Sequence, residues 1–209
     1  MRLILASTSP RRREILALLG APFEVIAPQF YERVSAHVSI EDEVLQFAVG
    51  KAQSVANMNP GSVVIGSDTM ILLNGDKIGK PDDENDARRT LGLLSGKTHT
   101  IHTSVAIIDG TGGAGVRTVE TVLVTMRDFT PQEIERYLAA AEWPDKAGAY
   151  SIQGQGRNLI AAMEGDYLAA VGMPLKPIAG YLEDRGVEFG GDVAKLYASK
   201  AFLNWRTFA

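Results

Sequence analysis

The chain has 209 residues, a formal net charge of −4 and no cysteine. That length suits one large domain or two small interleaved lobes. Without cysteine there are no disulfides or thiolate metal sites, and the acidic balance speaks against a broad nucleic-acid-binding surface. No apolar run has signal-peptide form or membrane-span length. The expectation is a cytoplasmic protein, with neither membrane nor nucleic-acid polymer among its partners.

Leu3-Ile4-Leu5-Ala6 reads as a short buried strand, and Glu14 to Leu19 as the helix after it. Ser9 suits the N-cap and Pro10 the first helical turn. Between strand and helix, Ser7-Thr8-Ser9-Pro10-Arg11-Arg12-Arg13 sets three guanidinium groups at a helix N-terminus. Unpaired backbone donors and planar arginine forks both suit phosphate. A solvated arginine face on a polar turn is the plainer reading of the same run. Gly20 ends this helix, Phe23 to Ala27 reads as a second strand, and Pro28 to Ser39 is polar and irregular.

Ser39-Ile40-Glu41-Asp42 looks like a capping box. It opens a helix to about Ala56, with Val44, Phe47, Ala48, Lys51 and Val55 at helical spacing. Val63 to Gly66 is a buried strand, and Met70 to Leu73 continues extended. Asn74-Gly75 is a strong hairpin turn before Asp76 to Ile78. A helix runs from about Asp83 to Leu94. Thr98 to Ile108 and Val116 to Arg127 are rich in β-branched residues and read as a long hairpin. Thr130-Pro131-Gln132-Glu133 is a second capping box, with a helix to about Ala141. Lys146 to Gly156 reads as a structured loop, Asn158 to Met163 as a strand and Pro174 to Arg185 as a helix. Alternation broken by long hairpins predicts an α/β fold with a mixed sheet carrying helices. The tail from Val187 to Ala209 is Gly-rich, then amphipathic, and holds Phe202, Trp205 and Phe208. It docks on the core or on a partner.

Gly66-Ser67-Asp68-Thr69 follows a strongly apolar strand. A carboxylate at the C-terminal end of such a strand often faces a ligand crevice, where it can hold a cation or activate a water. A turn aspartate capping its own backbone is the competing reading. Pro81 fixes the direction of Lys80, which can meet a phosphate as a point charge or be an ordinary surface lysine. Lys51, among apolar helix neighbours, reads singly as a snorkelling stem. Asp82, Asp83, Glu84 and Asp86 read as acids facing a helix dipole. His37, His99 and His102 show no metal-ligand spacing and read as structural or solvent-facing, with His99 and His102 on opposite faces of a strand. In the loop, Gly148, Gly154 and Gly156 permit close backbone approach to a flat ligand. Gln153 offers a donor and an acceptor side by side for a base edge. Tyr150 either stacks on that base or is buried and hydrogen-bonded at its tip.

Taken together, these segments resemble the Maf family of nucleoside triphosphate pyrophosphatases. The matching stretches are Leu3 to Arg13, Gly66 to Thr69, Gly79-Lys80-Pro81, Leu94 to His99, Asp145 to Gly154, and Glu164 to Tyr167 with Val171 to Leu175. The resemblance covers roughly residues 2 to 185, so the chain divides into a pyrophosphatase domain over 1–186 and an extension over 187–209. The likeness implies an elongated, twisted mixed sheet with flanking helices and two lobes around a central cleft. It implies hydrolysis of a nucleoside triphosphate to the monophosphate and pyrophosphate with a divalent cation, Mg2+ or Mn2+. The form of the Lys146 to Gly154 loop looks like the dTTP/UTP branch.

By that likeness Asp68 matches the general base, and Arg11, Thr69 and Gln153 match positions linked to substrate choice. Arg12, Glu32, Lys51 and Lys80 match the remaining polar cleft residues, with the cation near Glu32 and Asp68. The chain departs from the family pattern at Tyr31, where an acid is usual, at Ser67 and at Ser151. Gly50 also loosens its helix by about 1 kcal/mol relative to alanine. The family's association with septum formation makes a nucleotide-binding regulator, acting through a partner, the alternative function. A purine-directed pyrophosphatase of related fold is a third reading. A homodimer is expected from the family and from the apolar tail.

Overall fold

A computed structural model of the chain describes residues 1–113 and 115–208. Its centre is a seven-stranded mixed sheet. The strands are β1 (Arg2–Ala6), β2 (Glu24–Ile26), β3 (Ser62–Leu73), β4 (Asp76–Ile78), β5 (Thr98–Asp109), β6 (Val116–Met126) and β7 (Ile160–Glu164). They lie in the order β2-β1-β3-β5-β6-β7, with β4 also paired to β3. β1 runs parallel to β2 and β3; the other pairings are antiparallel.

Period-two alternation sends neighbours on a strand to opposite faces. Leu3, Leu5, Val63 and Ile65 join the large core with Ile15, Leu16, Leu91 and Leu168. Ile4, Ala6 and Val64 pack instead against Ala52 and Val55. One face is therefore covered by α2 (Ile40–Ala56). The other carries α1 (Pro10–Ala17), α3 (Glu84–Leu94), α4 (Pro131–Ala139), α5 (Tyr167–Val171) and α6 (Lys176–Asp184).

The helix boundaries follow the capping chemistry. Thr130 and Glu133 form the full reciprocal box at the start of α4. Ser39 makes only half of one: its Oγ accepts from the Asp42 N–H at 3.1 Å and donates to the Asp42 carboxylate at 2.8 Å. Asp42, one methylene shorter than glutamate, does not complete the box. Asn74 and Gly75 both have positive φ, as a two-residue hairpin turn requires.

One expectation is corrected at the centre of the sheet. Asp68 does not sit at the end of a strand or in a turn, because β3 continues unbroken for 12 residues. The crevice arises from pairing. β1 accompanies β3 only as far as Ile65, and β4 joins the same edge only from Ile71. Gly66 to Met70 thus have a strand neighbour on the β5 side alone. This notch in the sheet lies just past the C-terminal end of β1, where α1 begins.

The tail adds α7 (Val193–Ser199) and a short 3-10 turn at Trp205–Phe208. Its aromatic residues pack on the core of their own chain: Trp205 and Phe208 stack on Tyr167 at 5.4 and 6.0 Å between ring centroids.

Candidate active site

The notch is lined from both faces of the sheet. From the α2 side, the buried ammonium of Lys51 meets the buried carboxylate of Asp68. The same ammonium lies 2.5 Å from an oxygen of Glu32. Lys51 is therefore no snorkelling stem; it joins two carboxylates. Two glycines make this approach possible. A Cβ on Gly66 would lie 2.2 Å from the Ala48 carbonyl oxygen, so only glycine lets α2 press this close to β3. A Cβ on Gly50 would lie 2.2 Å from the Phe30 ring. Gly50 is thus less a weak point of the helix than the seat for Phe30, which brings Glu32 beside Lys51.

The segment bearing Glu32 is also pinned from below. Lys77 of β4 donates to the carbonyls of Ser35 and Val38 and to the Glu43 carboxylate, each at 2.7 Å. Glu43, almost fully buried, accepts in turn from the Ser35 N–H. Sequence reading missed this pair. The signal was a glutamate on the apolar face of α2, between Ile40 and Phe47.

From the other face come Arg12 and Thr69. Arg12 Nε donates to the Gly172 carbonyl at 2.9 Å, and its Nη2 to Thr69 Oγ1 at 3.2 Å. Thr103 Oγ1 donates to the Ala169 carbonyl at 2.8 Å and lies 3.1 Å from Thr69 Oγ1, close enough to accept from it. Ser67 gives its buried hydroxyl to the Gly172 carbonyl at 3.0 Å. Arg12 is thus braced on α5 and β3 and points into the notch. The backbone contributes less anion binding than the sequence suggested. Pro10 has no N–H, Ser9 Oγ takes that of Arg12 at 3.5 Å, and the Ser9 carbonyl takes that of Arg13. The guanidinium groups carry the donor capacity of this corner.

Burial and neighbouring charges act together on the carboxyl groups of the site. Burial pushes the Asp68 carboxyl above the ordinary aspartate value, against the opposing pull of Lys51 and Arg12. Partial burial alone would raise Glu32 as well. Its hydrogen bond to Lys51 and the charges of Lys51, Lys80 and Arg12 hold it below the usual glutamate value instead. Lys80 is exposed and lies close enough to influence Glu32. Arg11 is half-buried and lies close enough to Asp145 and Lys146, at the start of the glycine-containing loop, for their charges to interact. Arg13 is exposed.

That loop is fixed to the notch by backbone: the Gly148 N–H donates to the Gly79 carbonyl, one residue before Lys80. Tyr150 is buried, and its hydroxyl lies 2.8 Å from His99 Nε2, so it is not a stacking platform. His99 and His102 do occupy opposite faces of β5, but both are buried, which corrects the solvent-facing alternative. Burial lowers His99 to about 4. Gln153 is half-buried on the loop, and among the described residues its side chain makes no hydrogen bond to Lys51, Asp68 or Glu32. Among the described residues there is no group of three or more acidic or histidine side chains placed to hold a metal. Glu32 and Asp68 form a pair.

A family model described as "Maf-like protein" matches residues 2–185. A "dTTP/UTP pyrophosphatase" of Moorella thermoacetica is 43% identical over 192 residues, covering 92% of this chain and 99% of its own. A protein of the same name from Bacillus cereus is 41% identical over 190 residues, covering 90% and 97%. One from Bacillus thuringiensis subsp. konkukian matches at 41% over 190 residues, with the same coverage of 90% and 97%.

Proposed function

We propose that this chain, which belongs to the Maf-like family, hydrolyses dTTP and UTP to the monophosphate and pyrophosphate in the notch beside Asp68. The observation that carries the proposal is the Lys51 ammonium shared by Asp68 and Glu32, opposite an arginine braced by Thr69 and Gly172. It supports the reading of Asp68 as a carboxylate base among cations in a site partly withdrawn from water, as attack on a phosphoanhydride requires. The names of the relatives support the pyrimidine substrates.

A water attacks the α-phosphorus in line with the pyrophosphate. A phosphorus–oxygen bond forms to the water and the bridge to the β-phosphate breaks. Asp68 takes the proton. Its raised affinity for protons makes it a stronger base than an exposed aspartate, while Lys51 and Arg12 keep its charged form accessible. Arg12 offers its remaining N–H groups to phosphate oxygens, and Lys51 and Lys80 add positive charge where the leaving group becomes more negative. The Gln153 amide accepts from N3–H and donates to O4 of uracil or thymine. Arg11, beside the loop, assists in choosing the base.

Glu32 and Asp68 suit a hard cation that takes one or two carboxylates and leaves its other positions to phosphate and water. Mg2+ or Mn2+ held there would neutralise phosphate oxygens and acidify the attacking water. The cytoplasm is the setting proposed for this activity; no helix among the described residues is long and apolar enough to cross a membrane.

A panel of nucleoside triphosphates assayed for pyrophosphate tests the substrate assignment. dTTP and UTP should lead the panel. A flat profile, or ITP and XTP ahead of them, would overturn the pyrimidine reading.

A further inference from the structure

The C-terminal tail reaches the loop that carries Gln153. Asn204 Nδ2 donates to the Gln153 carbonyl at 2.7 Å and to the Ile152 carbonyl at 3.3 Å. Its Oδ1 accepts from Arg157 Nη1 at 2.6 Å. Arginine can only donate, so this contact fixes which end of the Asn204 amide faces the carbonyls. The rest of the loop is held from other sides. Tyr137 Oη accepts from the Ser151 N–H at 2.9 Å, and Glu142 accepts from the Gln155 N–H at 2.7 Å. Among the described residues, the tail contact is the one that grips the backbone of Gln153 itself.

Asn204 is held in turn. Its φ is +63°, in the left-handed region that asparagine tolerates better than most residues. On one side, Tyr167 Oη donates to the Leu203 carbonyl at 2.5 Å. On the other, buried Trp205 stacks on Tyr167 and meets Tyr197 edge-on at 5.0 Å. The Tyr197 hydroxyl is tied to Asp166 at 2.7 Å. A rigid aromatic cluster thus delivers one amide to two loop carbonyls. Asn204, Tyr197 and Trp205 all lie beyond the segment matched by the family model.

A side-chain amide discriminates between bases only if its orientation is fixed, because a rotated glutamine meets cytosine as well as thymine. We propose that Asn204 is a positioning residue for base selection: by holding the carbonyls of Ile152 and Gln153, it fixes the direction in which the Gln153 amide is presented. The inference rests on the base-reading role proposed for Gln153. It gives the tail a function in substrate choice, with no direct contact to substrate.

The test measures kcat and KM for dTTP and dCTP in the full-length wild type and in Gln153→Ala, Asn204→Gly and Asn204→Asp. Glycine keeps the left-handed backbone without the amide. Aspartate keeps that backbone and the acceptor for Arg157, but loses the donor. In both Asn204 variants the KM for dTTP should rise roughly fivefold to tenfold, with kcat within about twofold, as expected for the loss of a hydrogen bond outside the chemical step. The dTTP/dCTP preference should fall toward that of Gln153→Ala. Backbone amides of residues 151–157 should exchange hydrogen faster, with those of β5 unchanged. If the glycine variant does not fold, the aspartate variant decides. Wild-type preference in the Asn204 variants, with preference lost in Gln153→Ala, would overturn the inference and leave base reading by Gln153 standing. Wild-type preference in Gln153→Ala would overturn the base reading, and this inference with it.

Discussion

Lys51 of α2 and Asp68 of β3 meet as a buried ion pair because Gly66, two residues before Asp68, lets the helix press onto the strand. Helix and strand contribute one charge each, and the same ammonium draws in Glu32. Replacing Lys51 with methionine leaves Asp68 buried without its hydrogen-bonded cation, with Arg12 as the remaining positive neighbour. Loss of one partner of a buried pair costs about 3 kcal/mol, readable by chemical denaturation. Loss of the positive neighbour also raises the Asp68 carboxyl further. Since the base must be deprotonated, the acidic limb of the pH profile of kcat/KM should move to higher pH. An unchanged limb would mean that Asp68 is not the titrating group.

Gly50 sets helix propensity against packing. Gly50→Ala should gain about 1 kcal/mol from propensity. It also evicts the Phe30 ring, whose nearest atom lies 2.2 Å from the new methyl group. Phe30 is two residues from Glu32, so the carboxylate shifts with it. The expected result is near-native thermal stability with kcat/KM down roughly tenfold, since small misplacements near the chemistry are costly. Unaltered kcat/KM would dissociate Glu32 from the reaction.

His99 gives the stability a pH dependence. Burial lowers the native histidine to about 4, from 6.5. Between those values the unfolded chain binds more protons than the native one, so stability rises with pH. This contribution is complete above about 6.5 and is lost as pH falls toward about 4; at pH 5 the loss is about 2 kcal/mol. His102 is shifted in the same direction by burial. Denaturation of wild type and His99→Gln at pH 7 and pH 5 isolates the His99 share. The variant should lose less stability between the two pH values; an equal loss would place the proton elsewhere.

Local chemistry made much of the fold legible. The Thr130 box, the Asn74-Gly75 turn and the β-branched hairpin each act within a few residues, and the structure follows them. The notch was not legible in the same way. It depends on where β1 stops and β4 starts along β3, a register set between distant segments. Asp68 reads from sequence as a strand-end carboxylate, whereas it lies in the middle of β3, beside the gap that β1 and β4 leave. Lys51 alone looks like a helix-surface lysine, because its two carboxylates come from other elements. Glu43 and Lys77 escaped notice for the same reason. Helix α5 has only five residues and no resolvable period. The tail's apolar residues were visible, but the amide that reaches Gln153 lies among them as a single asparagine.

Chelation addresses the proposed cation. Two carboxylates sharing an ammonium form a weak site by themselves, so the ion should depend on substrate phosphates. Removal of divalent ions should abolish pyrophosphate release without lowering the thermal midpoint of the substrate-free protein. Full turnover in excess chelator would dismiss Glu32 and Asp68 as a cation site.

The most direct measurement is pyrophosphate release from dTTP by wild type and Asp68→Asn, together with nucleotide binding by each. Asparagine keeps the shape of the side chain and removes the base. The expected result is turnover by wild type and a fall in kcat of about 10²–10⁴-fold in the variant, with dTTP still bound. Turnover by Asp68→Asn at the wild-type rate, or nucleotide binding without turnover by the wild type, would contradict the assignment of this notch as a pyrophosphatase active site.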